Sequence, residues 1–149
     1  MGVARIIASH PEGAGYDSLH WQVSTTRISA HCPFSILPGL DRHFLVLEGE
    51  GVELNCRRPE GELRSRLRPG SGAFEFRGDW QTGCRLLGGP VEVFNVIVRR
   101  GRWEARVSQS ENQQLPEAAD ETLLAFVDDG LVPRTLSVRL ADIRAGTGQ

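Results

Sequence analysis

Residues 33–51 read PFSILPGLDRHFLVLEGEG, and the other predicted strands are arranged around this stretch. The run FLVL at 44–47 leaves neither face of a strand polar, which predicts an interior strand that is covered on both faces. The pair Pro38-Gly39 has the residues of a tight turn just before it. The glycine-bracketed EGEG at 48–51 predicts a second turn, and the alternating VELNC at 52–56 predicts another strand. We therefore expect these two strands to form a β-hairpin.

Further strands are predicted on both sides of this stretch. WQVSTTRI at 21–28, FEFR at 74–77 and VEVFNVIVRR at 91–100 are rich in β-branched and aromatic residues and are bounded by glycine or proline turns. Period-two counting along 91–100 places Asn95 on one face, between Val93 and Ile97. Short strands, regular turns and almost no helical periodicity predict an all-β barrel or jelly roll.

The length and charge of the chain limit the number of domains and the classes of partner to expect. The chain has 149 residues, enough for one domain with a sizeable core. Its formal net charge of −2 gives no electrostatic reason to expect nucleic acid or an acidic membrane as a partner. All 17 basic residues are arginine, so chemistry that forms a Schiff base on lysine is excluded for this sequence.

The three cysteines, Cys32, Cys56 and Cys84, are widely spaced and odd in number. This pattern fits neither a disulfide framework nor a C-x-x-C site, so we expect buried thiols in a reducing compartment. No apolar run approaches the roughly 20 residues of a membrane helix, and the N-terminus lacks a signal pattern. We therefore expect a cytoplasmic protein that does not enter a membrane.

Five segments, taken in order, resemble the HutD/Ves family of bacterial cupin-like proteins. They are WQVSTTRI from 21, PFSILPGLDR from 33, LVLEGEGVEL from 45, FEFRGD from 74 and GGPVEVFNVIVRR from 88. The resemblance implies a cupin-like barrel with a degenerate second β-half at the C-terminus. We place the main barrel at about 19–108, a polar linker at about 109–120 and the C-terminal β-unit at about 121–144 of the sequence.

The sequence lacks the common metal-binding and catalytic motifs. Metal-dependent cupins use two histidines one residue apart and another on a later strand, but His43 has no such partner and FEF at 74–76 contains no histidine. His43 and Glu48 alone do not supply three or four ligands, so we predict no metal and no cofactor. No nucleophile elbow, phosphate loop or zincin motif is present. The leading interpretation is therefore non-enzymatic.

A polar pair on the two longest apolar strands suggests a binding site. Arg42 begins one strand, and Asn95 is an amide among valines and isoleucine on the other. A guanidinium beside an amide suits a small carboxylate with amide character. Alternatively, Arg42 pairs with Asp41 or Glu48 at the barrel rim, and Asn95 satisfies a strand bulge. The family resemblance favours binding, because the two residues lie in the PGLDR and VFN segments.

Three further residues are candidates for the same ligand site. Phe76 and Trp21 are candidate walls, and His43 is a candidate polar contact. The resemblance implies a regulator of histidine utilisation that binds an intermediate such as formylglutamate. A second hypothesis is a metal-independent isomerase or hydrolase in which His43 is a base oriented by a carboxylate such as Asp41. A third is an interaction protein with a closed barrel; a homodimer is expected, and is compatible with all three.

Overall fold

A computed structural model describes residues 2–110, 122–128 and 134–143, with side chains described at 4–108 and 136–143. Its strands are β1 (Gly2–His10), β2 (Trp21–Ile28), β3 (Cys32–Pro33), β4 (Leu40–Glu48), β5 (Val52–Arg58), β6 (Gly61–Leu67), β7 (Phe74–Arg77), β8 (Gln81–Leu86), β9 (Val91–Arg99), β10 (Trp103–Ser110), β11 (Thr122–Asp128) and β12 (Arg134–Asp142). Within these ranges no residue is helical, and no segment is a helix able to cross a membrane. The all-β prediction is confirmed.

The strands form three antiparallel sheets. The central sheet has the order β1-β2-β9-β4-β7, the four-stranded sheet β3-β8-β5-β6, and the C-terminal sheet β10-β12-β11. The central sheet contains both of the long apolar strands, β4 and β9, and they pair with each other along most of their length.

Strand β4 is covered on both faces, as its apolar run predicts. Phe44 and Val46 belong to the core between the central and four-stranded sheets, whereas Leu45 belongs to the core shared with the C-terminal sheet. All three side chains are about 1% exposed. Because successive strand residues point to opposite faces, one apolar run supplies both cores.

The first core lies between the central and four-stranded sheets. The central sheet contributes Ile28, Phe44, Val46, Phe76, Val91 and Val93, and the four-stranded sheet contributes Val52, Leu54, Cys56, Leu67 and Cys84. Two antiparallel sheets that enclose a common apolar interior are the arrangement of a double-sheet jelly roll, the architecture of cupins. The predicted cupin-like fold is confirmed.

The second core joins the outer face of the central sheet to the C-terminal sheet. Val23, Phe94 and Val96 of the central sheet pack there with Leu136 and Val138 of β12. These alternating β12 residues are at most 3% exposed, so they make one apolar face.

The predicted segment boundaries differ from those of the sheets. Strand β1 lies before residue 19 but belongs to the central sheet, and β10 begins before residue 108 but pairs with β12. Of the predicted linker, residues 109–110 end β10, and 111–120 lie outside the described residues.

The predicted hairpin between β4 and β5 is wrong. Strand β4 pairs with β7 along one edge and with β9 along the other, whereas β5 pairs with β6 and β8. Strand β9 pairs with one edge of β4 along most of its length, and β7 pairs with residues 41–44 on the other edge, whereas β5 finds its partners in the four-stranded sheet. The turn at 49–51 therefore carries the chain from the central sheet to the four-stranded sheet.

Glycine is required where this crossing ends. Gly51 has φ 109°, a backbone conformation that side chains disfavour, and a Cβ there would overlap the carbonyl oxygen of Leu67. Gly61, in the β5–β6 turn, has φ 127° but open space around the position of a Cβ. Both glycines therefore have a positive φ, but only at Gly51 would a Cβ also clash with a neighbouring strand.

We predict that Gly51→Ala destabilises the protein more than Gly61→Ala. The Gly61 variant should lose about 1–2 kcal/mol for the positive φ alone, and the Gly51 variant should lose more because a strand backbone must also move. Urea unfolding of both variants and wild type measures the difference. Equal losses of unfolding free energy in the two variants would show that the backbone at 49–51 moves without cost to accommodate a Cβ.

Candidate ligand-binding site

A cavity of about 360 Å³ opens within the jelly roll. Alternate residues of the central sheet line one side, including Ser24 on β2, Arg42 on β4 and Asn95 on β9. The segment at 32–37, which precedes β4, and Tyr16 line the other side. The volume is within the roughly 300–1,000 Å³ typical of small-molecule sites.

Arg42 is held against aromatic rings. Its Cζ lies 4.9 Å from the ring centroid of Phe34 and 5.3 Å from that of Phe76, which is its direct partner across the β4–β7 pair. Both distances are within cation–π range. The rings and the cavity wall remove water from the guanidinium, and this burial lowers the pKa of Arg42 to about 10. The group nevertheless remains a cation at neutral pH.

The guanidinium of Arg42 is incompletely satisfied. Its Nη1 donates to the carbonyl oxygen of Ser35 at 3.4 Å, a long hydrogen bond, and its buried Nε has no partner. No ion pair among the described side chains involves Arg42. Asp41 instead accepts from Arg100 Nε at 2.8 Å, so the alternative in which Arg42 pairs with Asp41 or Glu48 does not hold.

Asn95 is a second incompletely satisfied group in the cavity. It is 7% exposed, and its Nδ2 donates to Thr26 Oγ1 at 3.4 Å, while its buried Oδ1 has no partner. Asn95 lies in regular register between Ser24 and Phe44, and the irregularity of the β4–β9 pair lies further along, near Val46. Asn95 therefore does not satisfy a strand bulge.

The structure brings Arg42 and Asn95 into one cavity. Asn95 is directly opposite Phe44, and Arg42 is two residues from Phe44 on the same face. The pair are thus diagonal neighbours, for which Cα atoms lie about 7–8 Å apart. Two residues that each carry a buried polar atom without a partner consequently line the same cavity.

The other three predicted site residues are placed differently. Phe76 lies behind the cavity as a platform for Arg42. Trp21 points to the opposite face of the central sheet, where it joins the second core and stacks on His10 at 6.0 Å between ring centroids. His43 also points to that opposite face, because it neighbours Arg42 in the strand. Trp21 and His43 therefore do not line the cavity of Arg42.

His43 lies in a separate cleft of about 470 Å³ between the central and C-terminal sheets. Asp41 and Glu75 line the same cleft, and Glu75 is the cross-strand partner of His43. Burial lowers the pKa of His43, and the negative charges of Glu75 and Asp41 oppose that effect without overcoming it. The imidazole is therefore neutral at physiological pH. Among the described residues, no group of three or more His, Cys, Asp or Glu side chains is arranged to hold a metal ion.

The sequence analysis did not select several polar residues that line the cavity. Gln22, Ser24 and Thr26 form a row on β2, and Gln22 and Ser24 are each 6% exposed. The signal was present in WQVSTTRI, where these polar residues alternate with Trp21 and Val23. Strand alternation alone leaves open whether a polar face meets solvent or a cavity.

The family model described as HutD matches residues 1–149. This chain belongs to the HutD family. An uncharacterised 21.2 kDa protein from the region 3′ of hutC in Pseudomonas putida is 31% identical over 127 residues, which are 85% of this chain and 65% of that protein. Protein Ves of Citrobacter koseri is 29% identical over 119 residues, 79% of this chain and 56% of Ves. This HutD-family chain thus covers less than two thirds of either relative.

Two solved structures share the fold of this HutD-family protein. A conserved protein of unknown function from Pseudomonas aeruginosa PAO1 has a TM-score of 0.73 and 23% identity, with 93% of this chain and 90% of that chain covered. HutD from Pseudomonas fluorescens SBW25, in a formate condition, has a TM-score of 0.66 and 22% identity, with 95% and 89% covered. The likeness extends over nearly the whole chain.

We predict a pH dependence of stability that depends on His43. Its pKa in the folded protein is lower than the ordinary 6.5, so below pH 6.5 the unfolded chain binds a proton that the folded protein resists. The free energy of unfolding should therefore fall as the pH drops through 6.5 towards the folded-state pKa, and His43→Gln should make this fall shallower. Urea unfolding across a pH series measures it.

Glu75→Gln is the matched comparison. Removing this carboxylate removes a charge that raises the pKa of His43, so the fall in stability should continue to lower pH than in wild type. A pH dependence that is unchanged in both variants would contradict the assignment to His43.

Proposed function

We propose that the cavity of Arg42 and Asn95 binds a small carboxylate that also carries an N–H group. The observation that carries this proposal is that Arg42 and Asn95 line one cavity and that each has a buried polar atom without a partner, Nε and Oδ1 respectively. A carboxylate accepts parallel hydrogen bonds from a guanidinium, and an amide N–H donates to the asparagine oxygen. One ligand with both groups satisfies both atoms.

The free-energy cost of leaving these two atoms without hydrogen bonds supports a role in ligand binding. A buried polar atom without a partner costs about 1–3 kcal/mol, and more when the group is charged. The rings of Phe34 and Phe76 offset part of this cost for Arg42, but they accept none of its hydrogen bonds. A ligand that completes the hydrogen bonds recovers the cost on binding, and this gain favours affinity for that ligand.

The family supports a place in histidine utilisation. A relative lies in the 3′ region of hutC, and a protein named HutD shares the fold. We propose that the chain acts as a binding or regulatory protein there and senses an intermediate such as formylglutamate, which has carboxylates and an N-formyl N–H. An isomerase or hydrolase that uses His43 is less well supported, because His43 lies on the other side of the central sheet.

We predict that a carboxylate with an N–H group raises the thermal unfolding midpoint of the wild-type protein. The panel contains formylglutamate, formiminoglutamate, urocanate, histidine, glutamate and formate, with divalent metals and a chelator as a separate arm. A ligand at about 100 times its Kd adds about 2.7 kcal/mol, or roughly 5–10 °C at this chain length. The shift should disappear in Arg42→Met and should shrink in Asn95→Ala.

Asn55→Ala is the matched control for this panel. Asn55 Oδ1 is also buried without a partner, but it lies outside the cavity, so its removal should leave the ligand shift intact. A shift that survives in Arg42→Met would place the ligand elsewhere. A protein that responds only to metals would overturn the proposal in favour of metal-dependent chemistry, and one that responds to nothing would favour an interaction protein.

We also predict that Arg42→Met stabilises the unliganded protein. Methionine packs against Phe34 and Phe76 and removes a partly buried charge whose hydrogen bonds are incomplete. The unfolding free energy should rise by roughly 1–3 kcal/mol in urea titrations without ligand. A loss of stability would show instead that the contacts of Arg42 with the two rings outweigh its desolvation.

A further inference from the structure

Two of the three cysteines are direct neighbours across a strand pair. Cys32 on β3 is opposite Cys84 on β8, and both pack in the first core, which places their side chains on the same face. Directly opposite residues of an antiparallel pair have Cα atoms about 4.5 or 5.5 Å apart. A disulfide takes Cα separations of about 4.4–6.8 Å, so this pairing has the spacing of a disulfide while both thiols are free.

The two thiols differ in access and in acidity. Cys84 is 4% exposed, and its burial, together with the neighbouring Cys32, raises the pKa of Cys84 to about 12. Cys32 is only partly buried and lines the ligand cavity. A reagent from solvent therefore meets Cys32 first, with Cys84 behind it as a protonated thiol.

A surface cleft lies on the outer face of the four-stranded sheet, opposite the core face that holds the two thiols. It has a volume of about 620 Å³ and includes both cysteines together with Arg64 and Arg85. Arg85 forms an ion pair with Glu53, and Arg64 forms one with Glu62 while its side chain stays two-thirds exposed. The exposed guanidinium of Arg64 is a contact for a carboxylate of a small peptide disulfide such as glutathione disulfide.

We propose that Cys32 and Cys84 are a reversible oxidation site that exchanges with a low-molecular-weight peptide disulfide. The Cys32 thiolate attacks one sulfur of the disulfide RSSR, forms a mixed disulfide and releases RS⁻, which takes up the proton lost by Cys32. The sulfur of Cys84 then attacks the Cys32 sulfur of the mixed disulfide, and its proton leaves with the second RSH. Two protein thiols are oxidised, and RSSR is reduced to two RSH.

The bond would act on the ligand cavity. Strand β3 has only two residues and begins the segment at 32–37 that lines one side of the cavity. A disulfide ties the start of this segment to β8 of the four-stranded sheet. The consequence for ligand affinity rests on the proposed function, whereas formation of the bond does not.

The test uses the full-length protein in a series of glutathione redox buffers. Samples are quenched with an alkylating agent, and intact mass and peptide mapping identify the bonded residues. Wild type and the matched control Cys56→Ser should both form the Cys32–Cys84 disulfide with loss of two hydrogens, and excess reduced glutathione should reverse it. Cys84→Ser should stop at a glutathione adduct on Cys32, and Cys32→Ser should lose both products.

Two results would overturn the proposal: a glutathione adduct on Cys32 of wild type that Cys84 never resolves, or a disulfide that involves Cys56. Thermal shifts with the ligand panel, on oxidised and reduced protein, test the effect on the cavity separately. If the disulfide forms and no ligand shifts either form, the oxidation site stands and the proposed function fails.

Discussion

The structure depends on the burial of both faces of the central sheet. The apolar runs of β4 and β9 leave no face for water, so two other sheets must cover them, one on each side. One edge of β4 pairs with β9, and residues 41–44 of the other edge pair with β7. The chain that leaves β4 crosses to the four-stranded sheet, and the positive φ of Gly51 belongs to this crossing.

The same constraint creates the cavity. Where the inner face of the central sheet is apolar, the four-stranded sheet closes on it and forms the first core. Where that face is polar, at Gln22, Ser24 and Asn95, the interior contains a cavity of about 360 Å³. Close packing there would leave more polar atoms without partners, which costs free energy that an open cavity avoids.

Because side chains alternate along β4, adjacent residues of this strand belong to two different sites. Arg42 faces the cavity, where aromatic rings and burial hold a cation without a carboxylate. Asp41 and His43 face the cleft beside the C-terminal sheet, where Arg100 bridges Asp41 and Asp79. The central sheet lies between these groups, so a ligand of Arg42 does not reach His43.

Most of the fold could be predicted from the sequence. The doubly buried β4, the strand faces of β9 and the all-β class follow from local periodicity, because strand geometry alternates side chains wherever the strand lies. Arg42 and Asn95 were identified in the same way, as polar residues within apolar strands.

The pattern of residues along the chain is enough to show which residues share a face of a strand and which strands must be buried. That His43 faces away from Arg42 also follows from alternation, since the two are adjacent in β4. Only the packed chain shows that β5 leaves β4 for the other sheet, that Trp21 faces away from Arg42, and that Cys32 meets Cys84. Each of these depends on strand pairing between distant segments. Pairing is set by which edges and faces remain free after the whole chain has packed, and no local pattern contains that information.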